Sequence, residues 1–248
     1  MEYTRRYLMD GLHNLRDLGG YAVPGGITRF GVLLRSDLPW HLTEDDGKRF
    51  AALEVRHTLD LRDVDESESM PDELALLRGV SYRQIAMKKV PRAVARNRPG
   101  GLSAFDEAFF WGDEYVRMLE DNHPWAKECT EFLAAAEGTV LFHCFTGKDR
   151  TGIAAMLVLL ALGVSREDAI ADYMLTNVYR KAIIDKFMQD KPADQYDLLL
   201  PVEGVSKSMG AGSIDVLLEK YPSYEAYFEA EYGLTTARLA ALRDFYLE

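Results

Sequence analysis

The sequence predicts an α/β fold, a central mostly parallel sheet flanked by helices with a helical C-terminal third, on three observations. From residue 32 to 85, short apolar runs of strand length alternate with helical patterns, which implies parallel strands joined by helices. From Thr139 to Gly163 the clearest such unit appears: Thr139-Val140-Leu141-Phe142 is a buried strand, and Ile153 to Leu160 is a buried helix ended by Gly163. Beyond Ser165 nearly every segment carries a helical pattern.

Taken in order, residues 12–36 read as an irregular lead-in followed by short strands. Pro24-Gly25-Gly26 marks a turn between Tyr21-Ala22-Val23 and Ile27-Thr28-Arg29-Phe30. Val32-Leu33-Leu34 is a core strand that delivers Arg35, Ser36 and Asp37 to its end, either to support a site or as a surface turn. Thr43 is the N-cap of a helix through Leu53, with Glu44, Asp45 and Asp46 suiting its positive end. Thr58–Leu61 is the next strand, and Arg62 and Asp63 sit at its carboxyl end, the edge where open α/β sheets gather ligands. Pro71 opens a helix to about Leu77, and Val80–Ile85 is a further strand.

The stretch Ala86–Gly101 carries Lys88, Lys89, Arg92, Arg96 and Arg98 and no acidic residue, within an acidic chain. It reads as a solvated loop or as a basic rim that gathers anionic phosphoesters, with the second favoured. Ser103 caps a helix through Leu119 whose aromatic face is core, and Trp125–Ala136 is helical. Ser165 caps another helix, and helical patterns continue over Tyr179–Gln189, Gly212–Lys220, Tyr224–Tyr232 and Thr235–Leu247. Lys191–Met209 reads as a floppy connector or a lid.

Composition narrows the function. With 248 residues, 48% apolar and 28% charged, the chain has ample core, and length suits one large domain spanning 1–248. A net charge of −11 argues against a nucleic-acid partner and against broad adhesion to anionic membranes. No apolar run approaches the ~20 residues of a membrane span. The first residues lack an apolar leader, which points to the cytoplasm.

Between the strand at 139 and the helix at 153 lies His143-Cys144-Phe145-Thr146-Gly147-Lys148-Asp149-Arg150-Thr151-Gly152. Strand, tight loop and helix N-terminus form an anion cradle, because loop amides point inward as a nest and the first-turn amides add partial positive charge. A thiol in such a cradle is favoured as its thiolate, the nucleophilic form. Cys144 is therefore the candidate nucleophile, attacking phosphorus to form a thiophosphate that water releases. Arg150 grips two phosphate oxygens with its planar fork, a bidentate geometry that lysine lacks. Gly147 lets the loop turn with its amides inward, while Phe145, Thr146, Lys148 and Asp149 complete the substrate-binding loop. Thr151 is placed to donate to the departing thiolate, and His143 to orient the loop from behind. This chemistry calls for no cofactor and no metal. Cys129, the other cysteine, reads as a small buried hydrophobe.

These residues resemble a known family. HCFTGKDRTG is similar to the loop of the bacterial cysteine-dependent tyrosine phosphatases of the mycobacterial phosphatase B type, a family acting on phosphotyrosine and phosphoinositides. Asn14-Leu15-Arg16-Asp17, Leu34-Arg35-Ser36, Asp60-Leu61-Arg62, Pro71-Asp72, Ala171-Asp172-Tyr173 with Asn177, and the Tyr221 to Tyr227 stretch match its landmarks in order. The resemblance implies a cysteine-phosphatase fold and a phosphotyrosine protein or phosphoinositide as substrate. It also qualifies the cytoplasmic expectation, since relatives are secreted without an obvious signal.

The general acid is less determined. The Trp-Pro-Asp loop of many tyrosine phosphatases is absent, and Tyr82–Gly101 holds no Asp or Glu. Asp149 is the favoured acid, with Asp37, Asp63 and Asp106 as alternatives. Lys148, a second cation in the loop, suits polyanionic headgroups, and lysine here also occurs in phosphoinositide phosphatases. Phosphotyrosine comes first, a phosphoinositide second. Sulfur transfer, arsenate reduction and a catalytically weak phosphate-recognition module are the readings from other classes.

Overall fold

The computed structural model describes residues 5–86, 115–116, 118–120 and 123–248. The expected basic rim from Lys88 to Gly101, the Ser103 cap and Asp106 lie outside the described residues.

The sheet runs β1 (Arg16–Asp17), β4 (Leu33–Ser36), β7 (Thr139–His143), β5 (Val55–Asp60), β6 (Ser81–Gln84). β4, β7, β5 and β6 are parallel, and only the two-residue β1 pairs antiparallel. A separate ribbon, β2 (Ala22–Val23) and β3 (Gly26–Ile27), turns at Pro24-Gly25. Register sets the site. Ser36 pairs with His143 and Asp60 with His143, so the carboxyl ends of three adjacent strands finish level at one edge. The fold is thus the expected mostly parallel α/β sheet.

Helix α1 (Glu44–Ala52) starts at Thr43 with a reciprocal capping box to Asp46. Helix α2 (Val64–Ser69), which the sequence reading did not include, begins the same way, with Asp63 and Glu66 satisfying each other's backbone amides. The helix expected after Pro71 is a short 3₁₀ turn, Glu73–Leu76; Asp72 caps it by accepting from the Leu74 amide, and the chain is already extended at Leu77. Helix α3 (His123–Ala135) carries Cys129 into the core.

Helix α4 (Arg150–Leu162) is the axis of the molecule, and every residue in it except Val158 is buried. Each large apolar side chain so enclosed contributes about 1.5–3 kcal/mol. Gly163, at φ 92°, ends it in the left-handed conformation that glycine adopts without penalty. Helices α5 (Arg166–Tyr179), α8 (Lys207–Lys220), α9 (Tyr224–Tyr232) and α10 (Thr236–Tyr246) pack around α4. The segment from Lys191 to Met209 corrects an expectation. It is no floppy connector, for it holds a 3₁₀ turn (Ala193–Gln195), helix α7 (Tyr196–Glu203) and the start of α8. Lys148 and Asn177 anchor it, as described below. Helix α6 (Lys181–Met188) precedes it.

Candidate active site

The strand β7 ends at His143, the chain turns through residues 144–149, and Arg150 opens α4. All ten predicted residues therefore fall on one strand–loop–helix unit at the level strand edge. Cys144 is buried within the main core cluster, whereas Phe145 is exposed. Gly147 has φ 67°, and a Cβ there would lie 2.4 Å from the Ser36 carbonyl oxygen and 2.6 Å from the Asp37 amide. Glycine is required on both counts.

The loop is held from behind. Asn14 Nδ2 donates to the Thr146 carbonyl at 3.2 Å and to the Gly147 carbonyl at 3.1 Å. An Arg35 nitrogen donates to the same Gly147 carbonyl at 2.8 Å. In a planar trans peptide the N–H points opposite the C=O, so holding these carbonyls back aims the Gly147 and Lys148 amides forward. That is the anion nest, built from the rear.

Arg35 and Arg16 are both fully buried and converge on Asp172, at 2.6 Å and 3.0 Å. Burial would raise the Asp172 pKa, but the two guanidinium charges outweigh it and hold the carboxyl below its usual range. Burial and the neighbouring Arg16 lower the Arg35 pKa to about 10, against the pull of Asp172, which still leaves it charged at neutral pH. Asp37 accepts from the His13 and Asn14 amides at 2.9 Å and 3.0 Å and so fixes the Asn14 turn. Asp37 and Asp63, the alternative acids, are thus both occupied by backbone amides.

Arg150 is gripped end-on by Glu66, NH1 to Oε2 at 2.6 Å and NH2 to Oε1 at 3.1 Å. Among the described residues, its Nε edge donates no hydrogen bond, which leaves the Nε/NH2 side for an oxyanion. Burial alone would weaken the Arg150 charge, but Cys144, Glu66 and Asp149 reverse that and raise its pKa. Glu66 was missed in the sequence; the Asp63-Val64-Asp65-Glu66 capping box was the readable signal.

His143 precedes Cys144 at the end of β7 and is fully buried. Its Nδ1 lies 3.0 Å from the Cys144 carbonyl oxygen and its Nε2 3.1 Å from Asp72. Burial would lower the His143 pKa, yet the Asp72 and Asp60 charges and the Cys144 carbonyl raise it overall. Asp72 also accepts from Thr58 at 2.6 Å, and Asp60 pairs with Arg62 at 2.7 Å.

Two expectations are corrected. Lys148 does not present a free second cation, because its buried ammonium donates to the carbonyls of Pro201 (2.5 Å), Val202 (3.1 Å) and Gly204 (3.2 Å). Three donors meet three acceptors, so a headgroup would have to draw it out of that cage. Thr151 does not bond the cysteine sulfur; among the described residues its buried hydroxyl has no hydrogen-bond partner. Asp149 occupies the N-cap of α4 without capping it. Its Oδ1 accepts instead from the Tyr115 hydroxyl at 2.5 Å, and Lys148 Nζ lies 3.7 Å away.

A cysteine and an arginine six positions apart thus lie on one glycine-turned loop whose carbonyls are held from the rear. The chain belongs to the tyrosine phosphatase family, whose family model matches residues 7–248. A Cupriavidus necator protein carrying a provisional tyrosine-protein phosphatase name is 35% identical over 178 residues, 68% of this chain and 62% of that one. A tyrosine-protein phosphatase of Nostoc commune is 34% identical over 139 residues, 56% of this chain and 46% of its own. The chain thus spans less than two thirds of either relative. The triple specificity protein phosphatase PtpB of Mycobacterium tuberculosis is 53% identical over 45 residues, 18% of this chain and 16% of that one. Among solved structures, the Siw14 catalytic core matches weakly, with a TM-score of 0.40 at 13% identity over 79% of this chain and 95% of that one. Among the described residues, no helix is long and apolar enough to cross a membrane.

Proposed function

We propose that the chain hydrolyses protein phosphotyrosine through a cysteinyl-phosphate intermediate. The observation that carries this reading is the Glu66 grip on Arg150, which leaves the Nε/NH2 edge of the guanidinium for phosphate beside the buried Cys144. Cys144 thiolate attacks phosphorus as the phosphorus–oxygen bond of the ester breaks, and Asp149 gives its proton to the departing phenolic oxygen. Arg150 and the forward amides of Gly147 and Lys148 stabilise the charge spread over the equatorial oxygens. Water then attacks the thiophosphate and yields its proton to the Asp149 carboxylate, releasing phosphate and regenerating the thiolate.

A phosphoinositide is the second reading, favoured by Lys148 in the same loop. It requires the ammonium to leave the Pro201–Gly204 carbonyls, so phosphotyrosine stands first. Phosphate release from a phosphotyrosyl peptide and from phosphoinositide vesicles, by wild type and Cys144→Ser, tests both. Cys144→Ser should lose turnover and keep phosphate binding. Turnover that survives in Cys144→Ser would refute the mechanism; phosphate binding with no turnover in wild type would leave a recognition module.

A further inference from the structure

The first turn of α4 breaks a local rule. An aspartate at a helix N-cap normally bends its carboxylate back onto an amide of the first turn, yet Asp149 makes no such bond. Its Oδ1 is taken by the Tyr115 hydroxyl at 2.5 Å, and the Tyr115 hydroxyl in turn accepts from that of Tyr173 at 3.0 Å. Both rings are buried, edge to face with centroids 6.1 Å apart. A buried hydroxyl is costly unless paired, so phenylalanine would fill this space at lower cost if packing were the only demand.

The outer tyrosine is itself clamped. The Tyr173 ring passes between two glycines, where a Cβ on Gly152 would lie 2.9 Å from Cδ2 and one on Gly210 2.6 Å from Cδ1. The glycine that closes the signature loop therefore makes room for the ring that steadies the loop's own aspartate. Burial raises both tyrosine pKa values well above the usual range, so both stay protonated donors through the working pH range.

We propose that Tyr115, held by Tyr173, is a positioning residue for Asp149: it fixes Oδ1 and leaves Oδ2 to carry the proton passed to the leaving oxygen. This rests on Asp149 being the general acid. Among the described residues, the other charged groups acting on this carboxyl are Lys148 and Arg150, and Arg35 acts on Tyr173. None of them is altered by replacing a tyrosine with phenylalanine. A hydrogen bond donated to a carboxylate favours its ionised form. Removing it lets the acid keep its proton to higher pH while freeing the side chain to rotate away.

The test is kcat against pH for wild type, Tyr115→Phe, Tyr173→Phe, Asp149→Asn and the Tyr115→Phe/Asp149→Asn double variant. Each is run on p-nitrophenyl phosphate, whose leaving group needs little protonation, and on phenyl phosphate, whose leaving group needs much. Tyr115→Phe is expected to move the alkaline limb up by about one pH unit and to cost about ten-fold on phenyl phosphate. It should cost much less on p-nitrophenyl phosphate. Tyr173→Phe, which keeps the ring in its slot, should act in the same direction by less and carries the test alone if Tyr115→Phe does not fold. In the Asp149→Asn background, Tyr115→Phe should change nothing further. An unmoved limb with equal loss on both substrates, or an undiminished loss in the Asp149→Asn background, overturns the positioning role alone. If Asp149→Asn keeps the alkaline limb, the acid assignment itself falls.

Discussion

Replacing Asp172 with asparagine should unfold much of what stands behind the loop. In one carboxylate, Oδ1 accepts from Arg16 Nε at 3.0 Å and from the Tyr21 hydroxyl at 3.2 Å, while Oδ2 accepts from Arg35 NH1 at 2.6 Å. All three charged side chains are fully buried. Breaking a buried ion pair costs about 3–5 kcal/mol, because the surviving charge is left without compensation. Here two guanidiniums survive, and an asparagine amide set against one of them adds a donor–donor clash. A loss of about 4–5 kcal/mol follows, and at 2–4 °C per kcal/mol for a chain of this size the melting temperature should fall by about 8–20 °C. Urea unfolding followed by circular dichroism gives the free energy, and thermal melting the temperature. Arg35 also holds the Gly147 carbonyl, so kcat on an aryl phosphate should fall more than about ten-fold even where the variant is folded. A loss under about 1 kcal/mol with unchanged kcat would refute the claim that this triad supports the loop.

Three further outcomes are expected. Gly152→Ala should cost about 1–3 kcal/mol by urea unfolding, since Tyr173 is pinned between Gly152 and Gly210 and cannot yield. Glu66→Gln should lower kcat/KM on an aryl phosphate roughly ten-fold, because it removes the carboxylate that aims the Arg150 fork. The His143–Asp72 contact should make stability depend on pH with a definite sign. The folded His143 pKa is raised above 6.5, so its stabilisation is full below that value and is lost as pH rises through the folded pKa. Asp72→Asn should therefore destabilise more at about pH 5.5 than at about pH 9; an equal loss at both would contradict the assignment.

What the sequence disclosed was local. The strand–loop–helix unit stood out because Gly138 and Gly163 bracket apolar runs of the right lengths. Thr43 and Ser165 both cap helices through their side chains, as short-range chemistry prescribes. The partners that aim the site were hidden because they are distant in the chain. Asp172 meets Arg16 from 156 residues away, and Glu66 meets Arg150 from 84. No periodicity encodes such pairings. Lys191–Met209 misled for a related reason. It reads as a connector or a lid, yet Lys148 and Asn177 supply the tertiary bonds that fasten it. Asp149 was legible as a candidate acid, but nothing in its neighbours pointed to Tyr115.

The most direct measurement of the central claim is acid-quenched intact-mass and peptide-mass analysis of the protein during turnover of a phosphotyrosyl peptide. A phosphoryl adduct on Cys144 is expected in the quenched wild-type protein, and none in Cys144→Ser. Turnover in wild type with an adduct on another residue, or turnover that persists in Cys144→Ser, would contradict it.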